Sequence, residues 1–99
     1  MPTKGAVQEK TFTKIKEPGK YNVVMHNDDF TTMEFVVEVL EDIFHKNSME
    51  AEILMLTVHK SGKAVIGSYP YDIAVSKVNT AISRAKSAGF PFRMTVEEA

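Results

Sequence analysis

The chain of 99 residues contains no cysteine. This absence excludes disulfides, thiolate metal sites and cysteine nucleophiles. Long apolar runs are also missing: none approaches the roughly 20 residues needed to span a bilayer, and the first ten residues lack the apolar core of a signal peptide. An excess of positive charge is missing too, because the formal net charge is −1, which argues against a nucleic-acid-binding surface. We therefore expect a cytoplasmic protein that binds neither membranes nor nucleic acid.

The composition is that of an ordinary soluble domain, with 43% apolar and 25% charged residues. A chain of this length has room for one core and one ligand site. Residues 1–20 hold five lysines and two glutamates, show no sustained apolar period, and include Pro18-Gly19 near their end. We therefore predict a flexible N-terminal tail over residues 1–19 and a core domain over residues 20–99.

The first elements are a strand and an amphipathic helix joined by a polar turn. Alternation of apolar and mixed residues over 21–26 predicts a strand. Thr31 with Glu34 three places later is a capping-box pattern, which predicts a helix start. Apolar residues that recur at helical spacing predict the buried face of this helix. They are Met33, Val36, Val37, Leu40 and Phe44.

A second helix is predicted from another capping-box pattern, Asn47 with Glu50, and should run to about Lys60. It is apolar over most of its surface, so we expect it to be wedged inside the structure. The residues behind this expectation are Met49, Ile53 and Leu56 on one face, with Met55, Val58 and His59 just round the cylinder.

The remaining elements complete the predicted fold. Residues 63–69 read as a second strand, Pro70 is placed for the first position of a third helix, Gly89 ends that helix, and residues 90–97 read as a last strand. The third helix should bury Ala74, Val78, Ala81, Ile82 and Ala85. The order β-α-α-β-α-β predicts a small α+β sandwich, with three helices on one face of a mostly antiparallel three-stranded sheet.

Asn27, Asp28 and Asp29 are the polar cluster between the first strand and first helix. Ordinary turn chemistry explains them, because Asx side chains hydrogen-bond their own backbone in turns. A functional interpretation needs a distant partner, and His59 is the best candidate, since a polar ring ending an apolar helix must find hydrogen-bond partners.

Catalysis finds little support in the sequence. A metal-dependent hydrolase using Asp28 and His59, with His26 as a further ligand, remains an alternative. However, no histidines show the i, i+4 spacing of helix-borne zinc ligands. Serine nucleophile motifs, phosphate-binding glycine loops and dinucleotide fingerprints are also absent. We expect no catalytic residues, no metal and no cofactor.

Methionine and valine side chains favour a binding site instead. Met33, Val36, Met55 and Val58 could line an adaptable apolar cavity, although methionine stripes are more often core. Polar groups at the mouth and an apolar floor would suit a ligand with a charged head and an apolar body.

These residues resemble a known family, the ClpS adaptors of bacteria and chloroplasts, which are the recognition subunits of the N-degron (N-end rule) pathway. The resemblance covers roughly residues 21–97. It is carried by Asn27-Asp28-Asp29, Thr31, Met33-Glu34-Phe35-Val36-Val37, Leu56-Thr57-Val58-His59 and Gly62-Lys63-Ala64.

The resemblance implies a non-enzymatic adaptor that delivers proteins with N-terminal Leu, Phe, Tyr or Trp to the AAA+ unfoldase ClpA, which feeds the ClpP peptidase. By the same resemblance, Asn27, Asp28 and His59 bind the free α-amino group and first peptide unit. Met33 acts as gatekeeper of a pocket lined by Val36, Met55, Val58 and Thr31. Asp72 and Lys77 contact the unfoldase, whose pore engages the N-terminal tail. We expect a monomer.

Two positions depart from the family pattern. Thr32 stands where the family usually has proline at the first helical position, and either residue suits a helix start. Arg93 stands where many members have an apolar residue near the pocket edge, so a preference for a subset of the four N-terminal residues is expected. The alternative from another class is a small interaction module that docks on a partner without reading N-termini.

Overall fold

The computed structural model describes residues 19–99, so the predicted tail, apart from Gly19, and its contact with an unfoldase pore lie outside the described residues. The described residues confirm the predicted order. The elements are β1 (Tyr21–His26), α1 (Met33–Asp42), α2 (Ser48–Ser61), β2 (Lys63–Tyr69), α3 (Tyr71–Ala88) and β3 (Arg93–Glu98). None of these three helices combines the length and apolar character needed to cross a bilayer.

Strand β1 is the centre of the sheet. It pairs antiparallel with β2 on one side and with β3 on the other. His26 at its end lies opposite Lys63 and Arg93. Because its backbone is paired on both sides up to this point, β1 gives the following turn a rigid starting position.

The core lies between the sheet and the helices. Val23 and Met25 of β1 are fully buried and pack in one apolar cluster with residues from α1 and α3. Phe35 of α1 makes edge-to-face contacts with Phe90 and Phe92, at centroid distances of 5.1 and 5.6 Å. The prediction of three helices on one face of an antiparallel sheet is confirmed.

The predicted start of α1 was wrong by one residue. Thr32, not Thr31, is the N-cap, and its Oγ1 accepts a hydrogen bond from the Phe35 N–H at 3.1 Å. Thr31 belongs instead to the preceding turn, where its N–H and its hydroxyl both donate to the Asp28 carboxylate. Thr32 was expected at the first helical position, where the family usually has proline. It lies one position earlier, as the N-cap.

The buried face of α1 also differs from the predicted stripe. The helix buries Phe35, Val39 and Leu40, and Phe44 is buried just beyond its end. Met33 is 46% exposed, and Val36 and Val37 are half-buried. The predicted stripe is therefore only partly correct, and its first residues are free to line a surface cavity.

Helix α2 begins as predicted but is not wedged inside the structure. Asn47 accepts from the Glu50 N–H at 2.8 Å, and Glu50 accepts from the Asn47 N–H at 3.2 Å, which completes the capping box. The helix buries only Ala51 and Val58. The predicted buried residues are instead exposed, by 73% for Met49, 57% for Ile53 and 43% for Leu56. The reason is geometric, since only one side of α2 faces the rest of the domain.

The bounds of the last two elements differ slightly from the prediction. Pro70 is in an extended conformation and precedes α3 as its N-cap rather than opening it. Gly89 ends α3 in the left-handed conformation, with φ 82°. Strand β3 begins at Arg93, so Phe90 and Pro91 belong to the connection. Helix α3 buries Ala74, Val78, Ala81 and Ala85 as expected, with Ile82 partly buried.

Candidate functional site

A cavity of about 410 Å³ opens where the turn after β1, the first turn of α1 and the last half of α2 meet. It brings together every residue predicted for ligand binding, from segments about thirty positions apart. Its lining consists of Asn27, Asp28, Asp29, Phe30, Thr31, Thr32, Met33, Val36, Met55, Val58 and His59.

Asp28 organises the turn at the lip of this cavity. Its Oδ1 accepts hydrogen bonds from the backbone N–H groups of Phe30, at 2.8 Å, and Thr31, at 2.7 Å. Its Oδ2 accepts from the Thr31 hydroxyl at 2.7 Å. The ordinary turn interpretation is therefore confirmed for Asp28. The turn also holds this carboxylate in a fixed orientation beside the cavity.

The carboxyl group of Asp28 is kept in its charged form by this turn. Desolvation acts to raise its pKa, but the hydrogen bonds from Thr31 and Phe30 outweigh that effect and hold the pKa below the ordinary value. The group therefore carries a negative charge at neutral pH and well into the acid range.

Asn27 and His59 reach the cavity from elements that are hydrogen-bonded to each other. The Asn27 N–H donates to the Gly62 carbonyl at 2.9 Å. Gly62 caps α2 in the left-handed conformation, with φ 89°, and its own N–H donates to the Val58 carbonyl. This connection fixes the end of β1 against the last turn of α2, which carries His59.

Two further polar side chains at the lip, the Asn27 amide and the His59 imidazole, have unused hydrogen-bonding capacity. Within residues 19–99, neither the Asn27 amide nor the His59 ring makes a side-chain hydrogen bond, and both residues are exposed. The amide oxygen and one imidazole nitrogen can each accept a hydrogen bond. Together with Asp28 they present three acceptor groups around one opening.

The floor of the cavity is apolar. Val58 is buried, Val36 and Met55 are half-buried, and Met33 stands at the rim with 46% of its surface exposed. Burial of an apolar side chain of a ligand against these residues would be favourable. The methionines can adapt their rotamers to guests of different shape.

Arg93 does not line the cavity, so the expectation that it lies near the pocket edge is not supported. The antiparallel register places it opposite His26, and its guanidinium lies 3.5 Å from His26 Nδ1. His26 Nε2 is 2.9 Å from the Thr95 hydroxyl. Burial lowers the pKa of His26, Arg93 and Lys63 lower it further, and Glu97 opposes them.

The two residues predicted to contact an unfoldase both lie on α3, outside the cavity. Asp72 is exposed in the first turn of the helix. Lys77 is half-buried and its ammonium donates to the Ile43 carbonyl at 2.8 Å. The same ammonium lies 5.6 Å from the centre of the Phe44 ring and 5.5 Å from that of Tyr69. Lys77 therefore also has a structural contact.

Three lining residues were not among the predicted site residues: Asp29, Phe30 and Thr32. Phe30 is the most notable, because it is 76% exposed and is the most exposed large apolar side chain among the described residues. Its position in the middle of a polar turn was the only sequence signal that could have indicated it.

The described residues contain no group of three His, Asp or Glu side chains arranged to hold a metal ion. His26 in particular is directed to Thr95 and is not part of the cavity. The metal-dependent hydrolase alternative therefore has no ligand set among residues 19–99.

The fold and the site define the class of the protein: a small α+β domain in which an apolar cavity opens at a polar, negatively charged lip. The family model described as "ATP-dependent Clp protease adaptor protein ClpS" matches residues 16–95. The chain belongs to this ClpS family. The predicted resemblance is confirmed, and the protein is an adaptor of an ATP-dependent Clp protease rather than an enzyme.

Relatives and a solved structure agree with this assignment. An ATP-dependent Clp protease adapter protein ClpS from Desulforapulum autotrophicum is 43% identical over 97 residues, covering 94% of this chain and 93% of that protein. The ClpS of Wolinella succinogenes is 49% identical over 84 residues, covering 85% and 82%. The structure of Agrobacterium tumefaciens ClpS2 bound to L-phenylalaninamide is similar with a TM-score of 0.81 and 37% identity, covering 84% of this chain and 100% of that one.

Proposed function

We propose that this adaptor binds proteins whose N-terminal residue is bulky and apolar, namely Leu, Phe, Tyr or Trp. It recognises both the side chain and the free α-amino group of that residue. It then delivers these proteins to a ClpA-type AAA+ unfoldase for degradation by ClpP. The observation that carries this proposal is the placement of the oriented Asp28 carboxylate, with two neutral acceptors, at the lip of an apolar cavity.

The lip suits an ammonium group in both charge and geometry. An α-ammonium offers three N–H donors and one positive charge. A carboxylate has about four acceptor positions, and three of those of Asp28 are used by the turn. One position on Oδ2 remains for the ligand, and the Asn27 amide oxygen and a neutral His59 nitrogen supply two more.

The ligand in the Agrobacterium tumefaciens ClpS2 structure has three chemical parts, which correspond to the three parts of the proposed N-terminal ligand. L-Phenylalaninamide carries a free α-amino group, an amide in place of the next peptide unit, and a benzyl side chain. In our proposal Asp28, Asn27 and His59 together bind the ammonium and the first peptide unit, and the side chain lies against Met33, Val36, Met55 and Val58. Val or Ile at the first position is disfavoured, because the branch at Cβ presses on Met33.

Simple magnitudes are consistent with a receptor that releases its cargo. Charge-assisted hydrogen bonds contribute about 1.5 to 3 kcal/mol each, and burial of a Leu or Phe side chain adds about 1.5 to 3 kcal/mol. Association costs at least about 4 kcal/mol. For three such hydrogen bonds the balance is about 2 to 8 kcal/mol, and the upper end of this range corresponds to a Kd in the micromolar range.

A titration with matched peptides tests the proposal. Peptides that begin with Leu or Phe should bind when the amine is free and should lose binding when it is N-acetylated. The acetylated amine has lost its charge and two of its donors, so Asp28 is left desolvated without a cation. Equal affinity for the free and acetylated forms would overturn the proposal and favour an interaction module that does not read N-termini.

Delivery can be separated from capture. In the proposal, Asp72 contacts the unfoldase and Lys77 contributes to the same surface of α3. Asp72→Lys should leave the affinity for a Leu-started peptide unchanged and slow degradation of a Leu-started protein by ClpA and ClpP. Undiminished degradation by the variant would remove Asp72 from the contact.

A further inference from the structure

Phe30 is held in a defined position although its ring has little to do with the core. Its backbone N–H donates to Asp28 Oδ1 at 2.8 Å, and the next N–H, of Thr31, donates to the same oxygen at 2.7 Å. The turn that orients the carboxylate therefore also fixes the backbone of Phe30 at the mouth of the cavity, which this residue helps to line.

The stability of the domain does not explain this ring. Phe30 is 76% exposed and lies outside the apolar core cluster formed by the described residues. Phe35, five residues later, is 6% exposed and contacts two further aromatic rings. Phe35 therefore packs in the core, whereas Phe30 faces solvent beside the candidate ligand cavity.

We propose that Phe30 is a specificity-determining residue, whose ring packs against the side chain of the second residue of the bound chain. This inference rests on the proposed function, in which Asp28 holds the α-amino group and Met33 lies beside the first side chain. Phe30 lies two positions from Asp28 and three from Met33. Consecutive Cα atoms are about 3.8 Å apart, so the second residue of the ligand emerges at the mouth within reach of the ring.

The chemistry of the contact sets a preference. An exposed phenyl ring gains most by covering another apolar or aromatic side chain, and glycine offers it nothing to cover. The cargo preferred by this protein should therefore have a large apolar residue at the second position, behind the bulky N-terminal residue.

A small matrix of peptides and variants tests this coupling. The peptides begin with Leu, carry Gly, Ala, Leu or Phe at the second position, and are otherwise identical. Phe30→Ala should raise the Kd by about tenfold for the peptides with Leu or Phe at that position, and by at most about twofold for the Gly peptide. Phe30→Tyr keeps the ring and should behave like the parent protein.

Val65→Ala is the matched control, because Val65 is also exposed but lies on β2 outside the cavity. It should leave the Kd of all four peptides unchanged. Thermal melting of each variant checks that the turn and the fold persist, as the exposure of Phe30 predicts.

The outcomes separate this inference from the function on which it rests. An equal loss for all four peptides would assign Phe30 to the first residue or to the turn, and would overturn the inference. Unchanged affinities would overturn it as well. If the parent protein distinguishes free from acetylated amines in either case, the proposed function stands without the Phe30 contact.

Discussion

Replacing Asp28 by Asn removes the charge at the lip of the cavity while sparing most of the turn. The amide of Asn keeps an Oδ1 that can accept from the Phe30 and Thr31 N–H groups, as the carboxylate does at 2.8 and 2.7 Å. The new NH₂ group cannot accept from the Thr31 hydroxyl, but it can donate to the same oxygen. The substitution therefore spares the turn but removes both the negative charge and the acceptor position on Oδ2 that the proposal assigns to the ligand.

The expected loss of affinity follows from the exposure of the site. A hydrogen bond to a charged group contributes about 1.5 to 3 kcal/mol, and the amide nitrogen that replaces Oδ2 cannot accept one from the ligand ammonium. Asp28 is only half-buried, so solvent screening reduces this contribution. We expect a loss of about 1.5 kcal/mol, or about tenfold in Kd.

Fluorescence anisotropy with a labelled Leu-started peptide measures this loss. The parent protein should bind more weakly as salt is added, whereas Asp28→Asn should show a flatter salt dependence. Asp72→Asn removes the same charge from α3, outside the cavity, and should leave the affinity unchanged. An Asp28→Asn variant that folds normally and binds as tightly as the parent would refute the role of the carboxylate as a countercharge.

Three further predictions concern the scaffold. Thr32→Ala removes the cap of α1 and should cost about 1 kcal/mol of unfolding free energy; a melting temperature unchanged within error would contradict this. The pKa of His26 is lowered in the folded state, chiefly by burial and then by Arg93, so the unfolded state takes up its proton first as pH falls. Denaturant titrations should therefore show the free energy of unfolding decreasing as pH falls below the ordinary value of 6.5, and His26→Gln should reduce that decrease. Lys77→Met removes a hydrogen bond to Ile43 and two ring contacts, and should lower stability by about 1 to 2 kcal/mol in a chemical denaturation experiment. Full stability of that variant would leave Lys77 with no structural role.

The order of helices and strands could be predicted because each element carries its own local signals. The capping box of Asn47 and Glu50 was identified correctly, since each side chain accepts a hydrogen bond from the backbone N–H of the other residue. Thr31 and Thr32 could not be distinguished in the same way. Thr31 bonds to Asp28 in the turn, and Thr32 therefore serves as the N-cap of α1. A pattern of residue types does not reveal this difference between two adjacent threonines.

The exposure of α2 could not be predicted because apolar residues surround most of the helix. Periodicity then no longer indicates which side is buried. The domain resolves this through Ala51 and Val58, which face inward while Met49 is left in solvent. Whether an apolar helix is enclosed depends on how many layers surround it, and residues 19–99 form one layer of helices on the sheet.

The candidate site was predicted more completely than the core. All eight residues expected to bind or line the pocket lie around one cavity, because a turn between two rigid elements tolerates little variation in position. Phe30 was missed for a physical reason: an apolar residue in a turn has no hydrogen-bonding or charge requirement that would distinguish it from an incidental exposed side chain.

The hydrogen bond from Asn27 to Gly62 joins the two halves of the cavity into one preformed frame. In the proposed function, a chain that enters this frame does not have to assemble it, so little ordering entropy opposes binding. Over evolutionary time the selectivity of such a receptor would change by exchange of single wall residues, while the backbone hydrogen bond between strand end and helix end is kept.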